Sequence, residues 1–576
     1  MPSRRVVFWA TAAVAVAAAF GQAWALRWTC DDAFISLRYA EHFVQGHGLV
    51  FNLDPNEAPV EGYTNFAWTM WLAFGMWLGF ADRGIEAWAA FWGGACHAGT
   101  VLLLASIAWR ASGGRALVPI AACAFAAIHH AASLAPAGLE TASFALLVTA
   151  LLRFAFELRC VRDAWLAGFV GVLLALSRPD GGLFVAIVGS FVLFDAVRRR
   201  APRLLVGYVV PFLVTFVPYL VWRRLYYGYW VPNTFYAKSA GDPYPSQGLV
   251  YLREFFRCYW VLIPVPLLPL VYACRRPDLL AGISHWLGRR PHVAVLAFVL
   301  PYLGFIVWVG GDFMFARFVV PVLPALLLGL DLAANRWRPV WPQPALALLL
   351  VGGLLLRVEP GWLGEWNPER NPYGVSDNRA ITVAPYEPGK PETRAEVMRL
   401  MGEVLHGLFD GLPVRIGIMG SQANIAFRSK VPVAIECATG LTDVRIAHQE
   451  IPRRGQPGHE KGYRRLMSYL IDERELHFSL DPTFAVGDLT DEWRSVSFLG
   501  GPARIATYDR ALMRELRRRS EHVVFVDFEA VLDRYLAELA GKDREGVRAD
   551  YAAFRSYYFD HNDDRERQRR FEDFLR

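Results

Sequence analysis

The sequence is short of charge. Only 20% of its 576 residues are Asp, Glu, Lys or Arg, where soluble globular proteins carry about a quarter. So few charges over this length argue against several soluble domains. Cysteine is scarce as well: there are seven, without any paired-spacing motif, which excludes a disulfide framework and a zinc ribbon. Cys96, Cys123, Cys160, Cys258 and Cys274 lie in or beside apolar runs, where cysteine packs as a small hydrophobe. The net charge of +6 is modest, and the arginines fall between apolar runs. That pattern points to membrane topology rather than to nucleic acid.

What the sequence has is apolar length. More than half of it is hydrophobic, and a helix crossing about 30 Å of hydrocarbon needs roughly 20 mostly apolar residues. The expected spans are Val6–Leu26, Glu86–Trp109, Ala116–Ala131, Thr141–Phe156, Ala164–Leu176, Leu183–Val197, Leu204–Trp222, Phe256–Tyr272, Val293–Val309, Phe318–Leu332 and Val340–Leu355. The first run follows Arg4 and Arg5 but lacks a small-residue cleavage site, so it reads as an uncleaved helix. Short basic loops mark the cytoplasm. Here they are Arg110–Arg115, Arg159–Arg162, Arg198–Arg203, Arg275–Arg290 and Asn335–Arg338. All five share a side with Arg4 and Arg5 only if the apolar run Thr64–Phe80 does not span. That run is therefore expected as an interfacial helix in a long first outer loop, about residues 27–83. The fold class is thus a polytopic α-helical membrane protein with about eleven transmembrane helices. It sits in the cytoplasmic (inner) membrane with its N-terminus inside and its C-terminus outside.

After residue 357 the composition changes. Residues 358–576 are charged, with β-like runs at Val414–Met419, Val431–Ile435 and Val523–Val526 and amphipathic helical stretches at Arg394–Phe409 and Ala530–Leu539. This is expected to be a soluble α/β domain outside the cytoplasm, following a membrane domain of residues 1–357. It contains no GxGxxG, P-loop or zinc spacing, which argues against nucleotide chemistry there.

The same parity gathers the polar, aromatic and Pro/Gly-rich segments on the outer side: Thr29–Tyr63, Pro136–Thr141, Ser177–Gly182, Arg223–Leu249 and Gly310–Arg317. Outer loops must be polar in any case. These hold acids and bases in tight clusters, however, while the inner loops are dominated by arginine. Charge at a membrane is costly and usually functional, so one site assembled on this face is expected. Its chemistry is placed on Asp31 and Asp32, directly after the first span. A carboxylate pair near an interface is more often a solvated flank than a catalyst. In a dry cleft the two cannot easily both stay ionised, and one would act as base towards a sugar hydroxyl or as nucleophile towards an anomeric carbon.

Asp31-Asp32-Ala33-Phe34-Ile35-Ser36 with Arg38-Tyr39-Ala40, then Gly46-His47-Gly48-Leu49-Val50-Phe51-Asn52 and Val60-Glu61-Gly62-Tyr63-Thr64-Asn65, resembles the first outer loop of AftB-like arabinofuranosyltransferases, membrane glycosyltransferases of the GT-C superfamily. Gly138-Leu139-Glu140-Thr141, Ser177-Arg178-Pro179-Asp180-Gly181, Val231-Pro232-Asn233-Thr234-Phe235-Tyr236-Ala237-Lys238 and Gly310-Gly311-Asp312-Phe313-Met314 with Arg317-Phe318 fit the same family in order. So do Gly440-Leu441-Thr442-Asp443 and Arg454-Gly455-Gln456-Pro457-Gly458-His459-Glu460-Lys461. The resemblance implies transfer of a pentofuranose, D-arabinofuranose in that family's chemistry, from a polyprenyl-phosphate donor such as decaprenyl-phosphoryl arabinose to an extracytoplasmic glycan or glycoprotein. A hexosyl- or mannosyltransferase is the nearest alternative, and a transporter or envelope assembly protein a different class.

That donor assigns roles by type. Its phosphate calls for cations, preferably guanidinium, and Arg178, Arg317 and Lys238 are expected to meet it, against the alternative of ordinary interfacial snorkelling. Glu140, Asp180 and Asp312 would orient those cations or bind sugar. Arg38, Tyr63, Asn65, Asn233 and Tyr236 suit sugar or acceptor contact; His47 is a weaker candidate. His459 and Lys461 are placed on a loop that reaches the substrate. No cofactor is expected. The aspartate pair could hold a divalent metal, but nothing in the sequence completes a coordination shell.

Overall fold

The computed structural model describes residues 3–576 except 267–289, 336–339, 366, 368, 387–388, 419, 421, 452–453, 457, 462–468, 480–502, 506–508, 520–522 and 526–527. Among the described residues, five helices are long and apolar enough to cross a membrane: Arg4–Ala25 (α1), Asp82–Ala111, Gly181–Arg198, the continuous stretch Pro202–Tyr227 and Pro291–Val309. Shorter apolar helices are Thr141–Phe156, Leu323–Ala334 and Pro342–Leu355. Between 22% and 56% of each long apolar window is buried inside the protein. The remainder is apolar surface of the kind that lipid covers.

Three expected spans differ. Phe318–Leu332 is helical only from Leu323, in the twelve-residue helix Leu323–Ala334. The run Ala116–Ala131 breaks into Ile120–Ala127 and His129–Leu134, because Ile128 between them is extended. The run Phe256–Tyr272 begins at the end of the helix Pro245–Cys258, and its last six residues lie outside the described residues, as does nearly all of the loop Arg275–Arg290.

The segment after α1 contains two helices, Asp31–Val44 (α2) and Phe66–Trp77 (α3), before the long helix Asp82–Ala111 (α4). Twelve residues of helix extend only about 18 Å, so α3 is too short to cross. It lies instead in an apolar cluster where Trp68, Leu72 and Ala73 meet Phe34 and Leu37 of α2, Ile85 of α4 and Phe427 of the C-terminal region. One face of the Thr64–Phe80 run is packed between these partners, while Phe74, Trp77, Leu78 and Phe80 are exposed apolar surface.

The C-terminal region is α/β. Strands Arg415–Ile418 (β1), Val433–Glu436 (β2) and Phe478–Ser479 (β3) form a parallel sheet in the order β2-β1-β3, with Arg415 opposite Val433 and Ile416 opposite Phe478. A second pair, Ala503–Ile505 and Val523–Phe525, is also parallel. The helices Arg394–Phe409 and Ala423–Ser429 cover the first sheet. The core of this region is not self-contained. Ile416, Ile418, Ile425 and Leu405 share one cluster with Tyr39, Leu49, Phe51 and Tyr63 of the first outer loop.

Polar ties reinforce that shared core. Arg38, 1% exposed, donates to the carbonyls of Phe51 (2.7 Å), Ala426 (2.6 Å), Val431 (2.5 Å) and Pro432 (3.3 Å). Asn233 donates to the carbonyls of Gly440 (2.7 Å) and Leu441 (3.0 Å). Gly62 lies so close beneath Leu441 that a Cβ there would stand 2.8 Å from its carbonyl oxygen and 2.9 Å from the Tyr39 hydroxyl. The C-terminal region is thus a roof seated on the segment between α1 and α4.

Candidate active site

Asp31 and Asp32 open α2, where acidic side chains meet the positive end of the helix. Adjacent helical residues diverge by about 100°, and the two carboxylates accordingly do different things. Asp31 reaches up to the roof: its oxygens accept from the backbone N–H of Ala423 (2.9 Å) and Asn424 (3.0 Å). Burial pushes its pKa up to about 7 despite those two hydrogen bonds, and the neighbouring Asp32 adds to the rise. Asp32 instead lines both of the cavities between membrane part and roof, with its Oδ2 4.0 Å from Nη1 of Arg317.

Beneath Asp32 the ends of several helices converge in one ionic network. Glu140 lies at its centre, receiving Arg317 (3.2 Å) and Arg178 (3.4 Å) on one oxygen and the Asn65 amide (3.0 Å) on the other. Arg317 also reaches Asp312 (3.4 Å), and Arg178 reaches Asp180 (2.9 Å). The Tyr302 hydroxyl donates to the far oxygen of Asp180 (2.8 Å). Ser36 and Thr69 both donate to the Asn65 carbonyl oxygen at 3.1 Å, which fixes its amide towards Glu140. Burial raises the Glu140 pKa, but Arg317 and then Arg178 outweigh it and hold the carboxyl below its usual range. Both arginines are held above theirs by the carboxylates around them, against the opposing effect of burial.

These placements redistribute the expected roles. Arg178 is a positioning residue rather than a phosphate contact. Its guanidinium is clamped by Glu140 and Asp180, stacked between the Phe144 and Phe318 rings, and lines neither cavity. Arg317 steadies Asp32 from below. Arg38 is spent on backbone carbonyls and has no reach to a sugar. Tyr63 packs in the shared core with its hydroxyl against that of Tyr227 (3.3 Å). Asn233 and Tyr236 dock the roof, the latter by stacking on His448 with centroids 4.0 Å apart. Lys461 donates to the Gln449 carbonyl, away from the cavities. Of the expected residues, Asp32 and His459 line both cavities, Asp31 lines one and Lys238 the other. The His459 ring stands edge-on to Phe313 at 4.7 Å, and Gly458 rides on the Lys238 stem. His47, on the turn after α2, lines neither cavity.

The roof adds groups that sequence reasoning missed. Glu436 ends β2, and its carboxylate gathers the following turn: it accepts from the backbone N–H of Ala438 (2.9 Å), Thr439 (2.8 Å), Gly440 (2.9 Å) and Leu441 (3.3 Å) and from the Thr439 hydroxyl. A carboxylate nested in successive amides shapes a turn rigidly, and Gly440 at φ +78° makes that turn possible. Glu436, Thr439 and Thr442 line one cavity with Asp32 and Lys238. Asn378, Thr382 and Arg394 line the other with Asp32 and His459. The Gly-Leu-Thr-Asp run after Glu436 was the available signal for the first set; nothing in the local sequence marks the second.

A divalent metal fits poorly at the aspartate pair. Both oxygens of Asp31 already accept amide hydrogens, and among the described residues no three His, Cys, Asp or Glu side chains converge to hold an ion.

No family model matches the chain. It is 32% identical over 354 residues to the terminal β-(1→2)-arabinofuranosyltransferase of Mycobacterium tuberculosis, covering 56% of this chain and 55% of that protein. It is 26% identical over 376 residues to the protein of the same name from Corynebacterium glutamicum, covering 58% and 52%. The chain therefore spans about half the length of the curated relatives it matches. Among solved structures, ArnT from Cupriavidus metallidurans bound to undecaprenyl phosphate aligns over 92% of this chain and 90% of that one, with 17% identity and a TM-score of 0.45. An Archaeoglobus fulgidus oligosaccharyltransferase aligns over 73% and 62%, with 13% identity and a TM-score of 0.35. By sequence, then, this membrane-embedded protein is a relative of terminal arabinofuranosyltransferases.

Proposed function

We propose that this protein is a membrane glycosyltransferase that moves a pentofuranose, D-arabinofuranose in the first instance, from a polyprenyl-phosphate donor to a hydroxyl of an extracytoplasmic glycan or glycoprotein. The observation that carries the reading is Asp32: a carboxylate shared by two adjoining cavities, steadied by Arg317 at 4.0 Å and flanked by Lys238 and His459. The sequence relationship to terminal arabinofuranosyltransferases supports the choice of sugar. The basic-loop parity supports placing the site and the roof on the outer side of the cytoplasmic membrane, with the N-terminus inside.

In this reading Asp32 takes the proton of the acceptor hydroxyl. The acceptor oxygen forms its bond to the anomeric carbon, the bond from that carbon to the phosphate oxygen breaks, and polyprenyl phosphate leaves with the electron pair. Glu140, Arg178, Asp180 and Asp312 position Arg317, and Arg317 positions Asp32. Asp31 is a docking group for the roof rather than a second catalyst, because its oxygens are engaged by two amides.

The test is turnover of synthetic polyprenyl-phosphate sugars by the purified protein with a mixed glycan acceptor. Release of polyprenyl phosphate from the arabinose donor, abolished in Asp32→Asn and retained in folded Asp31→Asn, is the expected result. Turnover of a hexose donor instead would keep the mechanism and replace the substrate. Turnover that survives Asp32→Asn would remove the catalytic assignment.

A further inference from the structure

His130 lies deep in the membrane part, 1% exposed, and owes its place to the break at Ile128. The short helix His129–Leu134 follows that break, and the first N–H groups of a helix find no carbonyl one turn earlier. The His130 N–H donates instead to the Tyr259 hydroxyl (3.1 Å), which also meets His130 Nδ1 at 2.6 Å. A hydroxyl has one hydrogen to give. With a proton on Nδ1, the Tyr259 oxygen would accept twice, and its own buried hydrogen would have no acceptor among the described residues. The arrangement that satisfies all three groups has Tyr259 donating to Nδ1 and the imidazole hydrogen on Nε2.

That Nε2 is buried without a hydrogen-bond partner, and Asp377 Oδ2 stands 3.6 Å from it. The other oxygen of Asp377 accepts from the backbone N–H of Arg379 (2.9 Å) and Ala380 (3.2 Å), capping the helix Asn378–Val383. Burial opposes the charge on Asp377, but His130 and the Ala380 amide outweigh it and hold the carboxyl below its usual range. The capped helix brings Asn378, Ile381 and Thr382 to the wall of one cavity at Asp32. The same imidazole supports a second segment of that cavity. Its edge meets the Phe315 ring at 4.7 Å. The Phe315 N–H donates to the Ser376 carbonyl (2.9 Å), and the Ser376 N–H to the Phe313 carbonyl (2.8 Å). Phe313 lines both cavities. One buried side chain therefore underlies two segments that frame Asp32, one by packing and the other by a polar contact. A ring that merely filled space there would need neither nitrogen.

We propose that His130 is a positioning residue: acting through Asp377, it fixes the helix Asn378–Val383 and so the place of that wall relative to Asp32. The kinetic consequence rests on the proposed transferase reading. There the wall holds substrate while Asp32 carries the proton, so a loosened wall raises KM and leaves kcat nearly unchanged.

The test uses the full chain in lipid nanodiscs, with two readouts. One is hydrogen exchange of the amides of residues 378–383; the other is steady-state turnover of a polyprenyl-phosphoryl arabinofuranose. His130→Asn keeps a polar group on the Tyr259 side and removes the one that meets Asp377, whereas His130→Gln reaches towards Asp377. His130→Asn and Asp377→Asn are each expected to speed exchange about tenfold and to raise KM about fivefold with kcat within about twofold of wild type. The double variant is expected to do no more than either single one, and His130→Gln to recover most of both losses. Asp377, at 13% side-chain exposure, carries the test should His130→Asn not fold, as judged by thermal unfolding. Wild-type exchange in the folded Asn variants, or effects that add in the double variant, would overturn the proposal. Faster exchange with KM unchanged would overturn the wall's part in holding substrate. Absence of turnover of any donor by the wild type would sink the transferase reading alone, and the exchange comparison would still decide whether His130 fixes this helix.

Discussion

Below Asp32, two arginines sit among the carboxylates of Glu140, Asp180, Asp312 and Asp32 itself, each charge paired and largely buried. Above and beside it, Lys238 and Arg394 line the cavities with no ion pair among the described residues. In the lower region opposite charges are in contact; in the cavity walls Lys238 lies with Asp32 and Glu436, and Arg394 with Asp31 and Asp32, without an ion pair to either cation among the described residues. Dense pairing makes a rigid platform, since every ion there depends on its neighbours. A cation kept apart from carboxylates retains its attraction for a ligand. Charge density therefore marks positioning here, and isolation marks binding.

The largest effect should come from the residue that belongs to both regions. Asp32→Asn is expected to lower turnover by about 10²–10⁴-fold with an unchanged unfolding temperature. A large loss of stability instead would move Asp32 into the platform. Next comes Glu140→Ala, which leaves Arg178 and Arg317 without their shared counter-charge. Breaking a buried pair in this way costs about 3–5 kcal/mol, readable as a lower melting temperature in detergent, with Glu140→Gln intermediate. A neutral result would break the claim that the platform is held by charge.

Gly62→Ala tests the joint between outer loop and roof. The added methyl meets the Leu441 carbonyl and the Tyr39 hydroxyl, and overpacking of this kind costs about 1–3 kcal/mol. The expected signature is earlier protease cleavage of the C-terminal region before the membrane helices melt.

The smallest effect is a slope against pH. Asp31 has a pKa raised from 3.8 to about 7 by burial, so between those values the folded protein binds a proton that the unfolded chain has released. Stability is therefore expected to fall as pH rises through that window. Glu61 has the same sign: burial raises it from 4.5 to about 7, against the opposing pull of Arg223. Melting temperatures from pH 4 to 8 should fall less, or rise more, in Asp31→Asn than in the wild type, and the change should grow when Glu61→Gln is added. An equal slope in both proteins would show that Asp31 is not buried against the roof.

Much of the scaffold was legible in the sequence because membrane helices declare themselves locally, by apolar length and flanking charge. The arginine parity kept Thr64–Phe80 out of the count of spans, and the helix in that run, α3, has twelve residues. The sheet strands and the Arg394–Phe409 helix were visible for the same local reason. The site was legible only as a set of ingredients. The acids and bases around Glu140 were picked out, but sequence could not say that Arg178 would be saturated by them. Nor could it divide Asp31 from Asp32, since the division depends on Ala423 and Asn424, which are nearly four hundred residues away in the chain. Arg394 was passed over because an arginine at the start of an amphipathic helix looks like any solvated charge.

The close seat of Leu441 on Gly62 also governs dimensions. With no side chain between them, the roof rests at the height where backbone meets backbone, so the headroom above Asp32 is set by covalent geometry rather than by rotamers. A bulkier residue at position 62 would act as a shim. Graded shims of Ala, Ser and Val at this one position offer a way to raise the roof over Asp32 in steps, without touching a residue that lines either cavity there.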